Sequence, residues 1–309
     1  MKKTESLSTF DLFKHLESGN TVSVSDEELK LMQEYLMDML EDISTVCEEN
    51  GFFYTLGGGS ALGAVRHHGF IPWDDDVDVN MPRKDLDGFV ARMEEKFPDK
   101  YWVRTPQKTD NYGLLMVQIR RKGTSVRTRD DYWNEECGLS IDIFPVENTY
   151  DSRFLRLIHE AGCYYYGFAV SCRKFYRDRD WLNSLAEGNE QVKSVFGKKI
   201  LIGKLLSWRS LDQWVRKADR WYAMCKDEHS KMVVIPSGRK HFKELYLRSD
   251  LLESVMSPFG KLNVRIPKGF DFYLTKLYGD YMKLPPEEKR IAHKMHAVWT
   301  VSEDTGESR

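Results

Sequence analysis

The feature that most constrains this chain is the run Ile71-Pro72-Trp73-Asp74-Asp75-Asp76-Val77-Asp78-Val79-Asn80-Met81. From Asp76 onward polar and apolar residues alternate, the period of a strand with one buried face. Side chains on a strand alternate faces, so Asp76 and Asp78 point the same way, about 6–7 Å apart. Val77 and Val79 then enter a core. Asp74 joins the acid face if the extended run begins there, while Asp75 faces the opposite side. Carboxylates crowded on one patch repel one another unless a cation neutralises them. Hard oxygen ligands of this kind select Mg²⁺ or Mn²⁺, ions that keep waters and bind substrate phosphates as well.

The flanking segments extend the same chemistry. Phe52 to Leu56 reads as a short buried strand running into Gly57-Gly58-Gly59-Ser60, and Ser60 to His67 as a short helix. A strand, a glycine turn and a helix N-terminus bring backbone N–H groups and a favourable dipole to an anionic phosphate. Gly57, Gly58 and Gly59 together allow that close approach, and Ser60 adds a hydroxyl. The turn is neither a GxGxxG nor a Walker sequence, so its meaning comes from the acids just downstream. Leu139 to Phe144 is a third, strongly apolar strand with Asp142 between Ile141 and Ile143. A lone Asp there is costly to bury unless paired or metal-bound. If this strand lies beside the Asp76/Asp78 strand, Asp142 completes a carboxylate cluster. His67 and His68 do not suggest zinc, because adjacent helical residues project about 100° apart.

Around this centre, Ser25 and Glu28 form a capping box ahead of Leu29, Met32, Leu36, Met39, Leu40, Ile43 and Cys47, a helical stripe that Asn50-Gly51 terminates. The methionines of that stripe are read as core. A helix is expected over Lys84–Lys96 and strands over Tyr101–Thr105 and Leu114–Arg121. From Arg153 to about Lys231 the pattern is mostly helical, and a last helix follows Pro267-Lys268-Gly269-Phe270 to about Tyr281. The expected organisation is an N-terminal extension (1–24), a catalytic core (25–150), a helical region completing the site (151–296) and a polar tail (297–309). The fold class is mixed α/β of the α+β kind.

Composition narrows the partner. The 309 residues carry 46 Lys+Arg against 48 Asp+Glu, a net charge of −2, so no basic excess marks a nucleic-acid-coating protein. A compact substrate fits better. Five cysteines without a CxxC pair argue against a disulfide framework and for a reducing compartment. No apolar signal core follows the first residues, and no stretch approaches the roughly 18 apolar residues of a membrane span. The expectation is a soluble cytoplasmic protein, with room for peripheral membrane association.

Gly57-Gly58-Gly59-Ser60, the Arg66 to Asp78 run and Ile141-Asp142-Ile143-Phe144-Pro145 resemble the LicD family, as do Tyr278-Gly279-Asp280-Tyr281-Met282 and Leu284 to Arg290 in the tail. The resemblance spans about residues 26–296. It implies a nucleotidyltransferase-like fold of the DNA polymerase beta type, shared with fukutin-related protein. It also implies transfer of a phosphate-linked head group from a CDP- or CMP-linked donor to a glycan or lipid-linked sugar. Phosphocholine from CDP-choline is the leading head group, and lipopolysaccharide, teichoic acid or capsule the setting. Carried over residue by residue, Gly58, Gly59 and Ser60 hold the nucleotide phosphates. Asp74, Asp76, Asp78 and Asp142 hold Mg²⁺ or Mn²⁺, with Asp142 as ligand or as the base for the acceptor hydroxyl. Arg66 is the first candidate to balance the diphosphate, with Arg120, Arg121 and Lys122 as second candidates. Arg290 and His293 are expected to close over the site.

A choline head group would need aromatic faces; the candidates are Trp73, Trp102, Tyr132, Trp133 and Tyr164-Tyr165-Tyr166. Two other functions compete. A true nucleotidyltransferase would release diphosphate instead of CMP. A non-catalytic glycan- or nucleotide-binding protein would be expected to lack part of the acid set, which is intact here.

Overall fold

The computed structural model describes residues 24–128, 131, 134, 136–286, 290 and 297–300. The extension before residue 24, Tyr132, Trp133, His293 and the tail beyond 300 lie outside the described residues. Helix α1 (Asp26–Asn50) begins at the Ser25/Glu28 capping box and ends at Gly51 in the left-handed region, φ 69°. Its stripe of Met32, Leu36, Met39, Leu40, Ile43 and Cys47 is fully buried, so the methionines are core. Strand β1 (Thr55–Leu56) leads into α2 (Gly58–His67). The expected helix from Ser60 thus starts two residues earlier, with the glycines as its first turn. Strand β2 (Val77–Pro82), α3 (Arg83–Lys96), β3 (Tyr101–Arg104), β4 (Val117–Arg121), β5 (Thr124–Arg127) and β6 (Ser140–Asn148) follow.

The next stretch is helical, as its pattern predicts: α4 (Arg153–Arg177), α5 (Arg179–Leu185), α6 (Glu190–Leu205) and α7 (Leu211–Tyr222). The helical expectation fails beyond it. Strands β7 (Met232–Val234) and β8 (Leu245–Leu247), the short α8 (Arg248–Leu251) and strands β9 (Ser254–Phe259) and β10 (Leu262–Pro267) precede α9 (Phe270–Tyr278) and β11 (Ala297–Thr300). The β9–β10 pair is a hairpin turning at Gly260, φ 58°.

One mixed sheet organises the molecule, with strand order β1-β2-β6-β4-β3 and with β7 and β8 added beyond the end of β6. β2 and β6 are parallel neighbours, and the other pairs are antiparallel. On the face toward α1 and α3, Val77, Val79, Val117, Ile119, Ile141 and Ile143 join Met39, Ile43, Phe89 and Met93 in one core. Burial of that face fixes the strand register, since a one-residue slip would exchange the faces. The opposite face carries the polar residues of the same strands. A buried ion cluster ties the helical region to the sheet: Arg83 Nε donates to Glu147 at 3.0 Å and its Nη2 to Asp219 on α7 at 2.9 Å.

Candidate active site

The register sets one row of side chains across four strands. Asp78 on β2 pairs with Asp142 on β6, Asp142 with Gln118 on β4, and Gln118 with Arg104 on β3. Paired residues on neighbouring strands share a face, so the condition set for Asp142 is met: it stands beside Asp78. Gln118 Nε2 donates to Asp142 Oδ1 at 2.8 Å, and Arg120 Nε donates to Gln118 Oε1 at 3.1 Å.

The glycine turn faces the same acids. A Cβ at Gly58 would overlap Asp78 Oδ2, and one at Gly59 would lie 2.8 Å from Asp74 Oδ2. Gly58 also has φ +43°, which disfavours any side chain there. Asp74 is anchored from α1, where Gln33 Nε2 donates to its carbonyl at 2.8 Å. Asp74, Asp75 and Asp76 each bring a carboxylate oxygen within 4.8 Å of the others. Asp75 therefore does not face away as strict alternation predicts. The strand begins only at Val77, so the three preceding acids belong to a turn that gathers them. Such an oxygen-only set suits a hard divalent cation.

The remaining candidates are placed as follows. Ser60 is buried, and its Oγ accepts from the Asp78 backbone N–H at 2.9 Å, so it braces the acid strand. Arg66 Nη1 donates to the Tyr281 carbonyl at 2.7 Å, tying α2 to the tail. Arg120 corrects the expectation of a diphosphate partner: it is 2% exposed and ion-paired to Asp131 at 2.9 Å. It supports Gln118, and through it Asp142. Arg290 lies over Trp73, its guanidinium 5.5 Å from the ring centroid, so the tail does cross the acid loop. A cation thus already stands against the first candidate for a choline cage. Tyr165 and Tyr166 pack against Trp214, and Tyr166 also against Trp221, within the helical region.

Sequence reasoning missed two tyrosines on α9. Tyr273 is buried, and its hydroxyl accepts from the Gly58 N–H at 2.9 Å and from Asn80 Nδ2 at 3.3 Å. Tyr278 leaves part of its ring exposed, but its hydroxyl end is enclosed. Burial raises that hydroxyl's pKa well above the usual range, and Tyr273 and the carboxylates of Asp78, Asp74 and Asp76 add to the effect. For Tyr273 the sequence signal was the aromatic content of Phe270 to Tyr281, and for Tyr278 its place in the Tyr278-Gly279-Asp280-Tyr281-Met282 segment. Gln118 was missed as well, although a polar residue between Val117 and Ile119 marks the non-core face of that strand.

Residues 51–166, which hold the glycine turn, the acid strand and Asp142, match the model of the LicD/FKTN/FKRP nucleotidyltransferase domain. The chain is also 27% identical over 278 residues to the lipopolysaccharide cholinephosphotransferase LicD of Haemophilus influenzae, covering 88% of this chain and 97% of that protein. Residues 51–166 thus carry a LicD-type nucleotidyltransferase domain. A shorter match links the chain to an uncharacterized protein of Rickettsia prowazekii, 34% identical over 70 residues, or 21% of this chain and 26% of that one. Among the described residues no helix is long and apolar enough to cross a membrane.

Proposed function

We propose that this chain, as a LicD-type transferase, moves phosphocholine from CDP-choline to a sugar of a cell-surface glycan. The observation that carries the reading is the pairing of Asp78 with Asp142 on parallel strands, both on the face that meets the glycine turn. The near full-length similarity to a lipopolysaccharide cholinephosphotransferase supports the head group and a lipopolysaccharide-type acceptor.

In this reading Asp74, Asp76 and Asp78, with Asp142 as a further ligand or as the base, hold Mg²⁺ or Mn²⁺; Asp75 joins the candidates by geometry. When bound, the ion neutralises diphosphate charge and polarises the phosphoryl oxygens. The first turn of α2 offers backbone N–H groups to the donor phosphates. The acceptor sugar oxygen forms a bond to the choline-side phosphorus, the bond from that phosphorus to the bridging oxygen breaks, and CMP leaves. Asp142, held by Gln118, is positioned to take the sugar hydroxyl's proton.

The five described cysteines are free and buried, which fits a reducing cytoplasm. Peripheral contact with an anionic bilayer, where a lipid-linked acceptor would sit, is supported by exposed Phe154, Leu157 and Phe168 on α4 and by Leu201, Leu205 and Trp208 near the end of α6. Residues 191–211 around this apolar patch include five Lys or Arg and no acid. Sedimentation with anionic vesicles, lost in L205E/W208E, would bear this out; equal sedimentation of parent and variant would refute it.

The reaction is tested by incubating the protein with CDP-choline, CDP-ribitol and other CDP- and CMP-linked donors, a lipopolysaccharide acceptor and Mg²⁺. Acceptor-dependent CMP release with CDP-choline is expected. Diphosphate release from a nucleoside triphosphate instead would favour nucleotidyl transfer, and no release of either would favour a binding protein.

A further inference from the structure

The row of paired residues does not stop at the acids. Beyond Asp142 it runs through Gln118 to Arg104, and a cavity of about 540 Å³ opens there, lined by Arg104, Asp110, Asn111, Tyr112, Leu114, Gln118, Asp131, Asn134 and Arg177. The glycine turn lies at the other end of the row, against Asp78. Strands are spaced about 4.8 Å apart, so Arg104 stands roughly 10 Å from Asp142, measured along the sheet. That distance suits a sugar with one substituent, and the volume falls in the usual range for small-ligand pockets.

The lining selects the ligand. Leu114 is its one aliphatic side chain and Tyr112 its one aromatic ring, so a hydroxyl-rich molecule fits and an apolar one does not. Arg104 is 9% exposed and Tyr112 3% exposed. Arg104 Nε and Tyr112 Oη have no hydrogen-bond partner among the described residues, although buried polar atoms normally find one. The other charges are accounted for. Asp131 pairs with Arg120 at 2.9 Å, Arg177 with Asp178 at 2.6 Å, and exposed Asp110 approaches Arg216 at 3.6 Å. Arg104 stacks on Tyr112 at 5.2 Å, and burial first, then the field of Arg120, disfavours its charge. An anion would relieve that repulsion. A trimethylammonium group would aggravate it, which argues against the choline head group lying here.

We propose that this cavity is the acceptor subsite and takes a sugar bearing an anionic substituent, phosphate or carboxylate, bound by Arg104 and Tyr112. The assignment rests on the transfer reading above. It places donor and acceptor at opposite ends of one row, with Asp142 between them.

Calorimetric titration of the full chain with glucose 6-phosphate, glucuronate and glucose, without donor, tests the pocket apart from catalysis. Either anionic sugar should bind roughly 10- to 100-fold tighter than glucose, the scale of one charge-assisted hydrogen bond. The stronger of the two identifies phosphate or carboxylate as the substituent. Arg104→Gln should erase the preference while leaving CDP-choline binding with Mg²⁺ unchanged. Because Arg104 is buried, Tyr112→Phe serves as the second variant. It should fold with unchanged or higher Tm, since the lost hydroxyl has no partner, yet bind the anionic sugar several-fold more weakly. Equal binding of all three sugars, or a loss of CDP-choline affinity in place of sugar affinity, would overturn the assignment. Arg104-dependent sugar binding in a protein that binds no CDP-choline would instead uphold the pocket and refute the donor.

Discussion

Gln118 Nε2 donates to Asp142 Oδ1 at 2.8 Å while Gln118 Oε1 accepts from Arg120 Nε at 3.1 Å. The amide orientation is therefore set from behind by a buried arginine that is itself paired to Asp131. A carboxylate held this way keeps one oxygen committed and one lone-pair direction defined, which suits a group that must meet a substrate in one geometry.

If Asp142 is the base, Gln118 positions it. Asp142→Asn should lower turnover by at least about 100-fold with little loss of thermal stability. Gln118→Glu puts a second carboxylate beside Asp142, raises its pKa and should move the acid limb of the kcat–pH profile upward. An unshifted profile with normal turnover would make Gln118 purely structural.

The acid turn should bind the metal. Asp76→Ala and Asp78→Ala remove like charges from a crowded patch, so each should keep or raise the Tm while abolishing Mg²⁺-dependent CDP-choline binding in calorimetry. Asp75→Asn should weaken it too, because its carboxylate lies in the gathered set. Metal-dependent donor binding that survives in all three variants would remove the acids from the metal site.

The glycine turn and α9 should act together. Gly58→Ala would drive a methyl group into Asp78 Oδ2 and strain a left-handed residue, so donor binding should be lost. Tyr273→Phe leaves the Gly58 N–H without its acceptor, which costs about 1–3 kcal/mol. Chemical denaturation should show that loss; an unchanged midpoint would mean the phenol contributes nothing to the turn.

Glu244 should make stability depend on pH. Its carboxyl is buried among Tyr246, Tyr273 and Lys276, and desolvation pushes it from 4.5 up to about 7, against the opposing pull of the Lys240 N–H, Lys240, Lys276 and Arg239. The folded state keeps this proton to higher pH than the unfolded chain. Stability is therefore lost as pH rises from about 4.5 to 7, and the deficit persists above that. Glu244→Gln retains an acceptor for the Lys240 N–H and cannot ionise. It should match the parent near pH about 4 and exceed it by up to about 3 kcal/mol near pH about 8. A pH-independent difference would contradict this.

The acid strand, the glycine turn and α1 were legible because each is written in consecutive residues: the alternation Asp76-Val77-Asp78-Val79, the turn before Ser60, and the Ser25/Glu28 cap. The place of Asp142 was legible only as a condition, since strand neighbours are set by non-local register. Gln118 and Arg104 joined the row only through strand pairing, Arg104 with Gln118 14 residues on and Gln118 with Asp142 24 residues on, which no local pattern encodes. Asp75 was misread because alternation was extended past the first strand residue. Strands β7 and β8 escaped because each is only three residues long, and β9 because Pro258 interrupts its period, whereas β10 does carry the alternation Leu262-Asn263-Val264-Arg265-Ile266.

The central claim is that the choline-side phosphorus goes to the sugar. CDP-choline carrying ³²P in that phosphate, incubated with the protein, Mg²⁺ and a lipopolysaccharide acceptor, follows the atom directly. The account predicts label on the glycan, unlabelled CMP in solution, and neither in Asp78→Ala. Label recovered as free phosphocholine, with CMP joined to the glycan, would contradict it.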